Sequence, residues 1–435
     1  MEKKIAIAGT GYRAVTMFGR MLAKYGSEHR ARIVALYDPN PVRMQAAQRL
    51  MNTEAALYDD FDRMLRESGC NTVLVTTVDR FHDEYIVRAL KAGYDVVTEK
   101  PLTTDAEKLT RILQAERDSG HRVTVTFNYR YAPYATAIKE FLASGRLGRI
   151  ATVQFEWYLD TVHGADYFRR WHRKVANSGS LWVHKATHHF DLVNWWLNQE
   201  PEEVFARASR QVYGDQGGVR GERCSTCSVK DACAFAFDWS DPVLVALYRE
   251  AEHVDGYWRD GCVFSDQIDI WDTMTGSVAY SGGTVMNYAL HAYTPFEGYR
   301  AIFTGTQGRL ECGVLETVIP EGTTTFLERV QHRVSPDAAP ATFPLASDGT
   351  DRFVFYPVFG GAEVIEVPRT IEGHGGGDER MVLHWLDADA PDPLSHRAGT
   401  RAGAYSILTG IAARESVAAR RPVSIGSLVD LSLLN

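Results

Sequence analysis

Two histidines four residues apart, His184 and His188, have the side-chain type and the spacing for proton transfer. Residues 181–197 are predicted to form one helix, on which positions i and i+4 share a face, and Asp191 continues that face. The pKa of histidine lies near neutrality, so either ring could act as acid or base, with Asp191 orienting it. Two other uses remain open, because such a pair could chelate zinc or pack inside a core.

A lysine, Lys100, follows a strand predicted at residues 94–98, within the sequence Glu99-Lys100-Pro101. Its ammonium could donate a hydrogen bond to a reacting hydroxyl and stabilise the alkoxide that forms. Burial could also lower its pKa far enough for proton transfer, and a lysine in a surface loop is the alternative. The bond before Pro101 is a candidate cis peptide, since cis peptides occur almost only before proline.

Basic and aromatic residues crowd a predicted loop just before the histidines. Arginine forks match the oxygens of carboxylates, phosphates and sulfonates, so this run could bind an acidic group of a ligand. Alternatively, the cations could face water. Tyr167 and Trp171 could stack on the face of a sugar ring or pack at a domain junction. The basic residues are Arg169, Arg170, His172, Arg173 and Lys174 in the loop, followed by His184 and Lys185.

Three cysteines, Cys224, Cys227 and Cys233, are spaced as Cys-x2-Cys-x5-Cys. Thiolates at this spacing could hold a structural zinc ion, with Cys262 or His253 as the fourth ligand. The alternative is three reduced cysteines in a turn. A redox disulfide is less favoured, because no thioredoxin-like unit surrounds the cluster.

The start of the chain has the elements that could place a dinucleotide. Residues 5–8 are a short apolar run that predicts a buried parallel strand, and Gly9 and Gly11 follow it directly. These glycines let the backbone turn tightly and approach a pyrophosphate. A helix beginning near Arg13 would offer its N-terminal amides to the same anion.

A second strand, predicted at residues 32–37, ends at an acid, Asp38. A carboxylate at this place could accept the ribose hydroxyls of NAD and repel the extra phosphate of NADP. The succession of strand, glycine turn, helix, strand and acid therefore predicts a nicotinamide dinucleotide site with NAD as the cofactor.

Strand and helix patterns alternate from residue 1 to residue 127, with further strands predicted at 72–77, 94–98 and 122–127. Repeated units of this kind form a parallel, doubly wound sheet of the Rossmann type. Ligands of such sheets bind beyond the carboxyl ends of the strands. Those ends carry residues 9–13, 38, 76–79, 99–100 and 128–130.

The pattern changes from residue 128 to residue 435. Long strands with few helices between them are predicted at 150–159, 204–208, 266–275 and 284–290. This pattern favours a second, C-terminal α+β domain with a large open and mostly antiparallel sheet. The length of 435 residues also exceeds one ordinary core, so the sequence predicts an α/β protein of two domains, 1–127 and 128–435.

Charge and composition exclude several kinds of partner. A net charge of −8 gives no footprint for nucleic acid or for an anionic membrane. The apolar run near the N-terminus is interrupted at Gly9, which does not fit a signal peptide, and no window approaches the ~18 apolar residues of a membrane span. Six cysteines, three of them clustered, do not suggest a secreted disulfide framework, so we expect a cytoplasmic protein.

Three motifs together resemble the Gfo/Idh/MocA oxidoreductases: the glycine turn ending at Arg13, the sequence Glu99-Lys100-Pro101, and residues 179–191. The resemblance covers nearly the whole chain. It implies a Rossmann domain followed by an α/β domain with an open sheet. Members usually oxidise or reduce a hydroxyl of a sugar or polyol with NAD(P), and some cleave glycosidic bonds through a transient keto-sugar while retaining NAD.

The resemblance also implies roles for residues. His188 matches the histidine usually taken as catalytic, whereas His184 stands where an aspartate is usual, so the triad of lysine, aspartate and histidine is altered. The implied catalytic residues are Lys100, His184 and His188. The implied cofactor-binding residues are Gly9, Thr10, Gly11, Tyr12, Arg13, Asp38, Thr77, His82, Glu99, Lys100, Asn128 and Trp171. The implied substrate-binding residues are Lys100, Arg130, Tyr167, His172, Arg173, His184 and His188.

The favoured function is NAD-dependent oxidation of a secondary hydroxyl on a sugar or polyol, with an acidic sugar or glycoside as the expected substrate. A glycosidase that recycles bound NAD needs the same site and is the second interpretation, and a non-catalytic NAD sensor is the third. We expect a small-molecule substrate, a homo-oligomer, and neither a nucleic-acid nor a membrane partner.

Overall fold

A computed structural model describes residues 2–216, 220–318, 350–368 and 373–434. Six parallel strands form the first sheet, and the chain winds outwards on both sides of its first strand. The strands are β1 Lys3–Ala8, β2 Ala31–Tyr37, β3 Ala56–Tyr58, β4 Thr72–Val75, β5 Asp95–Thr98 and β6 Val123–Val125. Their order is β3-β2-β1-β4-β5-β6.

Helices connect these strands and cover the faces of the sheet. Side chains fix the starts of three of them, because Asn40, Asp60 and Asp105 each accept a backbone N–H of the first turn. The helices are α1 Arg20–Tyr25, α2 Pro41–Leu50, α3 Phe61–Glu67, α4 His82–Lys91 and α5 Ala106–Ser119, and a π-helical segment, Ala14–Gly19, precedes α1.

Nine strands form the second sheet, in which the β7–β10 pair is parallel and the other described pairs are antiparallel. They are β7 Ile150–Asp160, β8 Pro201–Ser209, β9 Thr273–Tyr280, β10 Val285–Thr294, β11 Phe296–Gly305, β12 Gly308–Val318, β13 Thr350–Pro357, β14 Glu363–Pro368 and β15 Val423–Ser424. Their order is β14-β13-β12-β11-β7-β10-β9-β8-β15.

The long closing helix packs under the histidine segment. A Cβ atom at Gly410 of this helix would lie 2.2 Å from the carbonyl oxygen of Trp182, so the close approach requires glycine. No described helix is long and apolar enough to cross a membrane. The helices after β6 are α6 Pro133–Ala143, α7 His163–Arg169, α8 Val175–Ser178, α9 Leu181–His184, α10 Ala186–Leu197, α11 Pro242–Leu244, α12 Glu252–Asp255, α13 Gly377–Leu386 and α14 Thr400–Ala419.

The two sheets confirm the predicted fold class, and two predicted elements differ from the structure. The strand expected at 266–275 begins only at Thr273, because the carboxylate of Asp272 accepts the backbone N–H groups of residues 211–213 and holds a turn there. The single helix expected at 181–197 is two helices, α9 and α10, which are separated at Lys185.

Candidate active site

The glycine loop after β1 makes the close backbone approach that a dinucleotide site needs. Gly9 has a φ of +89°, and a Cβ atom at this position would lie 2.8 Å from both the backbone nitrogen and the side chain of Thr77. Helical structure follows the loop directly, from Tyr12 onwards. The first N–H groups of a helix have no acceptor within the helix and can bind an anion. This part of the chain fits the pyrophosphate of a dinucleotide.

Asp38 lies at the end of β2 and is buried. Its Oδ2 accepts the N–H and the hydroxyl of Thr10 at 2.9 and 3.0 Å, and its Oδ1 accepts the N–H of Asn40 at 2.9 Å. Nη1 of Arg43 is 3.4 Å from Oδ1, while Nη2 of the same arginine is 2.6 Å from Asp255. The arginine beside Asp38 is therefore shared with a second carboxylate.

Tyr248, to which no sequence motif pointed, packs against the glycine loop. Its hydroxyl accepts the backbone N–H of Tyr12 at 2.9 Å and lies 3.2 Å from the Cβ position of Gly11. The side chain of Asn40 donates to the carbonyl of Ala251 at 2.9 Å and fixes the same segment. Since the N–H of Tyr12 is among those expected to bind pyrophosphate, Tyr248 holds a donor that a phosphate oxygen would use.

Three residues expected near the cofactor, Arg13, Glu99 and Asn128, meet in one network. Nε of Arg13 donates to Glu99 at 2.7 Å, and its Nη2 donates to Asp378 at 2.9 Å. The amide nitrogen of Asn128 donates to the same oxygen of Asp378 at 2.6 Å. The structure thus joins the glycine loop, the end of β5 and the start of α13.

Lys100 follows β5 and lies beside the histidine segment. The Lys100–Pro101 peptide bond is cis, and Nζ of Lys100 donates to the carbonyl of His184 at 3.3 Å. Burial, with the positive charges of Lys185 and Arg13, lowers the pKa of Lys100 to about 8 against the opposing effect of Glu99 and Asp79. Lys100 can therefore exchange a proton near neutral pH, which an exposed lysine does not do.

His184 is paired with an acid from the first sheet, because its Nδ1 lies 2.6 Å from Oδ2 of Asp79. Burial, together with the charges of Lys100 and Arg170, lowers the pKa of His184 well below its ordinary value. Burial raises the pKa of Asp79 well above its ordinary value. His184 stands where the resemblance places an aspartate, and the carboxyl group of Asp79 lies one hydrogen bond from it.

His188 has different neighbours from His184, although it follows four residues later. Its ring packs edge-on against Tyr129, with centroids 4.8 Å apart, whereas the ring of His184 packs against His172 at 4.2 Å. The two histidines lie on different helices, His184 at the end of α9 and His188 in the first turn of α10. A spacing of four residues therefore does not give the two imidazoles the same surroundings.

Arg130, expected to contact substrate, is paired with Asp191. Nε and Nη2 of Arg130 donate to the two carboxylate oxygens at 2.7 and 2.6 Å, and both side chains are buried. The expectation that Asp191 orients a histidine is therefore not met, because its carboxylate faces the guanidinium. A buried bidentate pair of this kind ties the chain after β6 to α10.

Aromatic rings expected at the site surround His184. The rings of Trp171 and His172 stack with centroids 3.6 Å apart, and those of Trp171 and Tyr167 lie 5.7 and 5.4 Å from the ring of His184. Burial, with the neighbouring charges, lowers the pKa of His172 well below its ordinary value. This wall of rings is uncharged near neutral pH.

The basic run divides among several partners. Arg169 is buried and donates to the carbonyl of Phe235 at 3.1 Å, and Lys174 donates to the carbonyl of Gln267. Arg170 is the member whose charge acts on both His184 and Asp79. The remaining expected contact, Arg173, lies against Gly261 in the chain that follows α12.

The zinc prediction is not supported. Within the described residues, no three His, Cys, Asp or Glu side chains form a group that could hold a metal ion. Cys224, Cys227 and Cys233 are free, and a guanidinium nitrogen of Arg169 lies 3.8 Å from the sulfur of Cys224. Burial raises the pKa of the Cys224 thiol, so both the protonation state and the adjacent cation disfavour binding of Zn²⁺.

His82 is buried and lies between the chain that follows β4 and the chain that follows β5. Its Nδ1 lies 2.8 Å from the carbonyl oxygen of Pro101 and its Nε2 lies 3.2 Å from that of Thr77. Lys185 is also buried, with its ammonium 4.8 Å from the centre of the Trp157 ring. Both residues hold neighbouring parts of the site in place.

The parallel sheet with its glycine loop and the second, mixed sheet, together with the contact of α9 with Lys100, define a class: an NAD-binding oxidoreductase with a C-terminal α/β portion. The oxidoreductase family model for an NAD-binding Rossmann fold matches residues 3–127. The model for the C-terminal alpha/beta domain of the same family matches residues 139–425. The chain belongs to the Gfo/Idh/MocA oxidoreductase family.

Two relatives illustrate the range of similarity. The chain is 36% identical to "Putative oxidoreductase YteT" of Bacillus subtilis (strain 168), over 99% of each sequence. It is 35% identical to the inositol 2-dehydrogenase of Paracoccus denitrificans (strain Pd 1222) over 144 residues, which are 33% of this chain and 42% of that protein.

Solved structures share the fold over the full length. An oxidoreductase domain protein from Kribbella flavida matches with a TM-score of 0.68 at 15% identity, covering 98% of this chain and 99% of that one. An oxidoreductase from Agrobacterium radiobacter, solved with NAD⁺, L-tartaric acid and magnesium, matches with a TM-score of 0.64 at 17% identity, covering 99% and 100%. At these identities the likeness concerns the fold alone.

Proposed function

We propose that this protein transfers a hydride between a secondary hydroxyl of a sugar or polyol and the nicotinamide of NAD. The observation that carries the proposal is the position of Lys100, buried at the end of β5, with a pKa lowered to about 8 and its Nζ 3.3 Å from the carbonyl of His184. A proton must leave the hydroxyl as the hydride leaves its carbon, so a group that titrates near neutral pH is what this chemistry requires.

The glycine loop with Arg13, and Asp38 at the end of β2, are the residues that would hold the dinucleotide. When bound, the nicotinamide supplies the hydride acceptor. Lys100 in its neutral form accepts the hydroxyl proton at Nζ. His184, fixed through Nδ1 by Asp79, presents its Nε2 to the same hydroxyl and keeps it oriented. The rings of Trp171 and Tyr167 exclude water from this space.

The sequence suggested that His188 takes the proton and Lys100 stabilises the alkoxide. We assign the proton to Lys100 instead, because its pKa lies near the working pH, where general acid–base catalysis is most efficient. His188 remains a predicted member of the site through the family resemblance. Substitutions of Lys100, His184 and His188 separate these roles.

The direct test is a screen of sugars, polyols and their glycosides with NAD, followed by the absorbance of NADH. Net NADH formed from an oxidisable sugar or polyol supports the dehydrogenase. Release of an aglycone with no net NADH would support the glycosidase that recycles its cofactor, and binding of NAD with neither product would support the sensor. If a Lys100→Met variant oxidised the same substrates as fast as the unaltered protein, the proposal would be contradicted.

Two further expectations accompany this function. The cytoplasmic location and the homo-oligomeric state rest on cysteine usage and on the family resemblance. The boundary between residues 127 and 128 is likewise a proposal for where one domain ends. Light scattering on the purified protein tests the oligomeric state, and a homo-oligomer is the expected result.

A further inference from the structure

Two arginines that are distant in sequence converge on one carboxylate beside the candidate site. Arg259, which follows α12, donates through Nη1 and Nη2 to both oxygens of Asp166, with the Nη2 distance at 2.9 Å. Arg170, directly after α7, donates through Nη1 to Oδ2 of the same carboxylate at 3.0 Å. One carboxylate therefore faces two guanidinium groups, which leaves a local surplus of one positive charge.

Polar atoms of this cluster are buried with no hydrogen-bond partner among the described residues. They are Nε of Arg170, Nε of Arg259 and the hydroxyl of Tyr257. The positive charges of both arginines act on the Tyr257 hydroxyl, so the three groups lie near one another. A buried donor without a partner is costly, and three together indicate a place where a ligand supplies the acceptors.

The cluster lies between the glycine loop and the reactive residues. On one side, the guanidinium of Arg259 is 6.0 Å from the centre of the Tyr248 ring, whose hydroxyl accepts the N–H of Tyr12. On the other side, the charge of Arg170 acts on His184. A ligand that reached Lys100 and His184 could therefore place an anionic group against these arginines.

We propose that Arg170, Arg259 and Tyr257 form a subsite that binds the carboxylate of an acidic sugar or glycoside. This inference rests on the proposed function, because it names the substrate class for that site. The carboxylate oxygens of the ligand would accept hydrogen bonds from the free Nε–H groups and from the Tyr257 hydroxyl. Their negative charge would also offset the positive charge of the two arginines that Asp166 does not neutralise. The anchored carboxylate fixes the sugar ring, so that one carbon is presented to the hydride acceptor.

Binding to the NAD-loaded protein tests the subsite by calorimetry, with D-galacturonate against D-galactose and D-glucuronate against D-glucose. We expect at least one acid to bind the unaltered protein more tightly than its neutral partner. Arg170→Gln and Arg259→Gln should each reduce that preference by roughly tenfold to hundredfold, the loss of one or two charge-assisted hydrogen bonds. Arg207→Gln, which removes an exposed arginine on β8, is the matched control and should keep the preference.

Tyr257→Phe and Arg259→Lys give a second line of evidence if the glutamine variants do not fold. The first variant removes only the hydroxyl, and the second keeps a cation beside Asp166 but loses the Nε–H. Both should therefore weaken binding of the acidic sugar more than binding of its neutral partner. Equal binding of acid and neutral sugar by the unaltered protein would overturn the proposal.

A second measurement separates the substrate carboxylate from the cofactor pyrophosphate. Titration of the cofactor-free variants with NAD should give unchanged affinity. If the arginine variants lose affinity for NAD and keep their preference for the acid, the anion is the pyrophosphate and the proposal is wrong. If no sugar yields NADH while the preference still depends on the arginines, the subsite stands and the proposed hydride transfer fails.

Discussion

His184 and His188 are four residues apart, yet the structure gives them different surroundings. The ring of His184 hydrogen-bonds to Asp79, and the carbonyl of His184 accepts from Nζ of Lys100. The ring of His188 packs against the ring of Tyr129. The helix that would have aligned them is interrupted at Lys185. The function of an imidazole depends on what the rest of the fold brings to it, and here the fold brings the carboxyl group of Asp79 to His184.

The largest effect is expected at Lys100, whose Nζ donates to the carbonyl of His184. Lys100→Met removes the proton acceptor and should lower turnover by ~10²–10⁴-fold, with NAD affinity largely kept. Lys100→Arg keeps the charge but cannot release a proton near neutral pH, so it should be nearly as inactive. Steady-state kinetics with an NAD titration measure both quantities. Near-normal turnover of Lys100→Arg would show that Lys100 acts as a fixed cation.

The pH profile of the unaltered protein follows from the same residue. Below a pKa of about 8 Lys100 is protonated and cannot accept a proton, and above it the neutral amine is available. The rate of sugar oxidation should therefore rise with pH through about 8 and then level, while the rate of the reverse reduction should fall. An oxidation rate that decreases through this range would assign Lys100 the role of a cation.

The next effect is expected at Asp79, which should act through His184. Asp79→Asn keeps the shape of the side chain but changes which atom can accept from Nδ1, and the misplaced imidazole should lower kcat by roughly tenfold to hundredfold, with KM less affected. A double variant with His184→Asn should lose little more than the single one, because the two residues work as a unit. If the losses in kcat were fully additive, Asp79 and His184 would act independently of one another.

Much of this site followed from local patterns, and the parts that did not are contacts between distant residues. The strand before Gly9, the acid after β2 and the lysine after β5 are each marked by a few adjacent residues. Asp79 and His184, in contrast, are 105 residues apart, and Tyr248 is 236 residues from the Tyr12 backbone that it contacts. Asp79 was placed at a strand end without a role, and nothing in the sequence connected Tyr248 to the glycine loop.

Two expectations that the structure does not support have the same cause. Asp191 looked suited by position to orient a histidine, but its carboxylate pairs with Arg130 in the interior. The cysteine spacing predicted zinc, whereas the fold places Arg169 beside Cys224. A short motif specifies which groups are available, and tertiary packing decides which of them meet.

A smaller effect is expected at the glycine loop. Tyr248→Phe removes the oxygen that accepts from the N–H of Tyr12 and should tighten NAD binding by about fivefold, since a neutral hydrogen bond contributes about 1 kcal/mol. Fluorescence titration with NAD measures the change, and Tyr356→Phe, at an exposed tyrosine of β13, is the matched control. Weaker NAD binding by Tyr248→Phe would mean that the hydroxyl assists the cofactor.

The smallest effect on catalysis is expected at Asp191, the acid that was first paired with the histidines. Asp191→Asn should leave turnover of the folded protein almost unchanged, because its carboxylate faces Arg130. The free energy of unfolding should fall by about 3–5 kcal/mol, since Arg130 is left as a buried charge without its partner. Denaturant unfolding and kcat on the same samples check this, and a loss of turnover as large as that of Asp79→Asn would contradict it.

The most direct test of the account compares the two histidines in one experiment. Single-turnover formation of NADH is measured for His184→Asn and His188→Asn, with the cofactor saturating and the folded fraction matched. The account predicts a loss of ~10²-fold or more for His184→Asn and a clearly smaller one for His188→Asn. If His188→Asn is the more damaged and His184→Asn keeps near-normal turnover, the pairing of Asp79 with His184 does not serve catalysis and the role proposed for His184 is wrong.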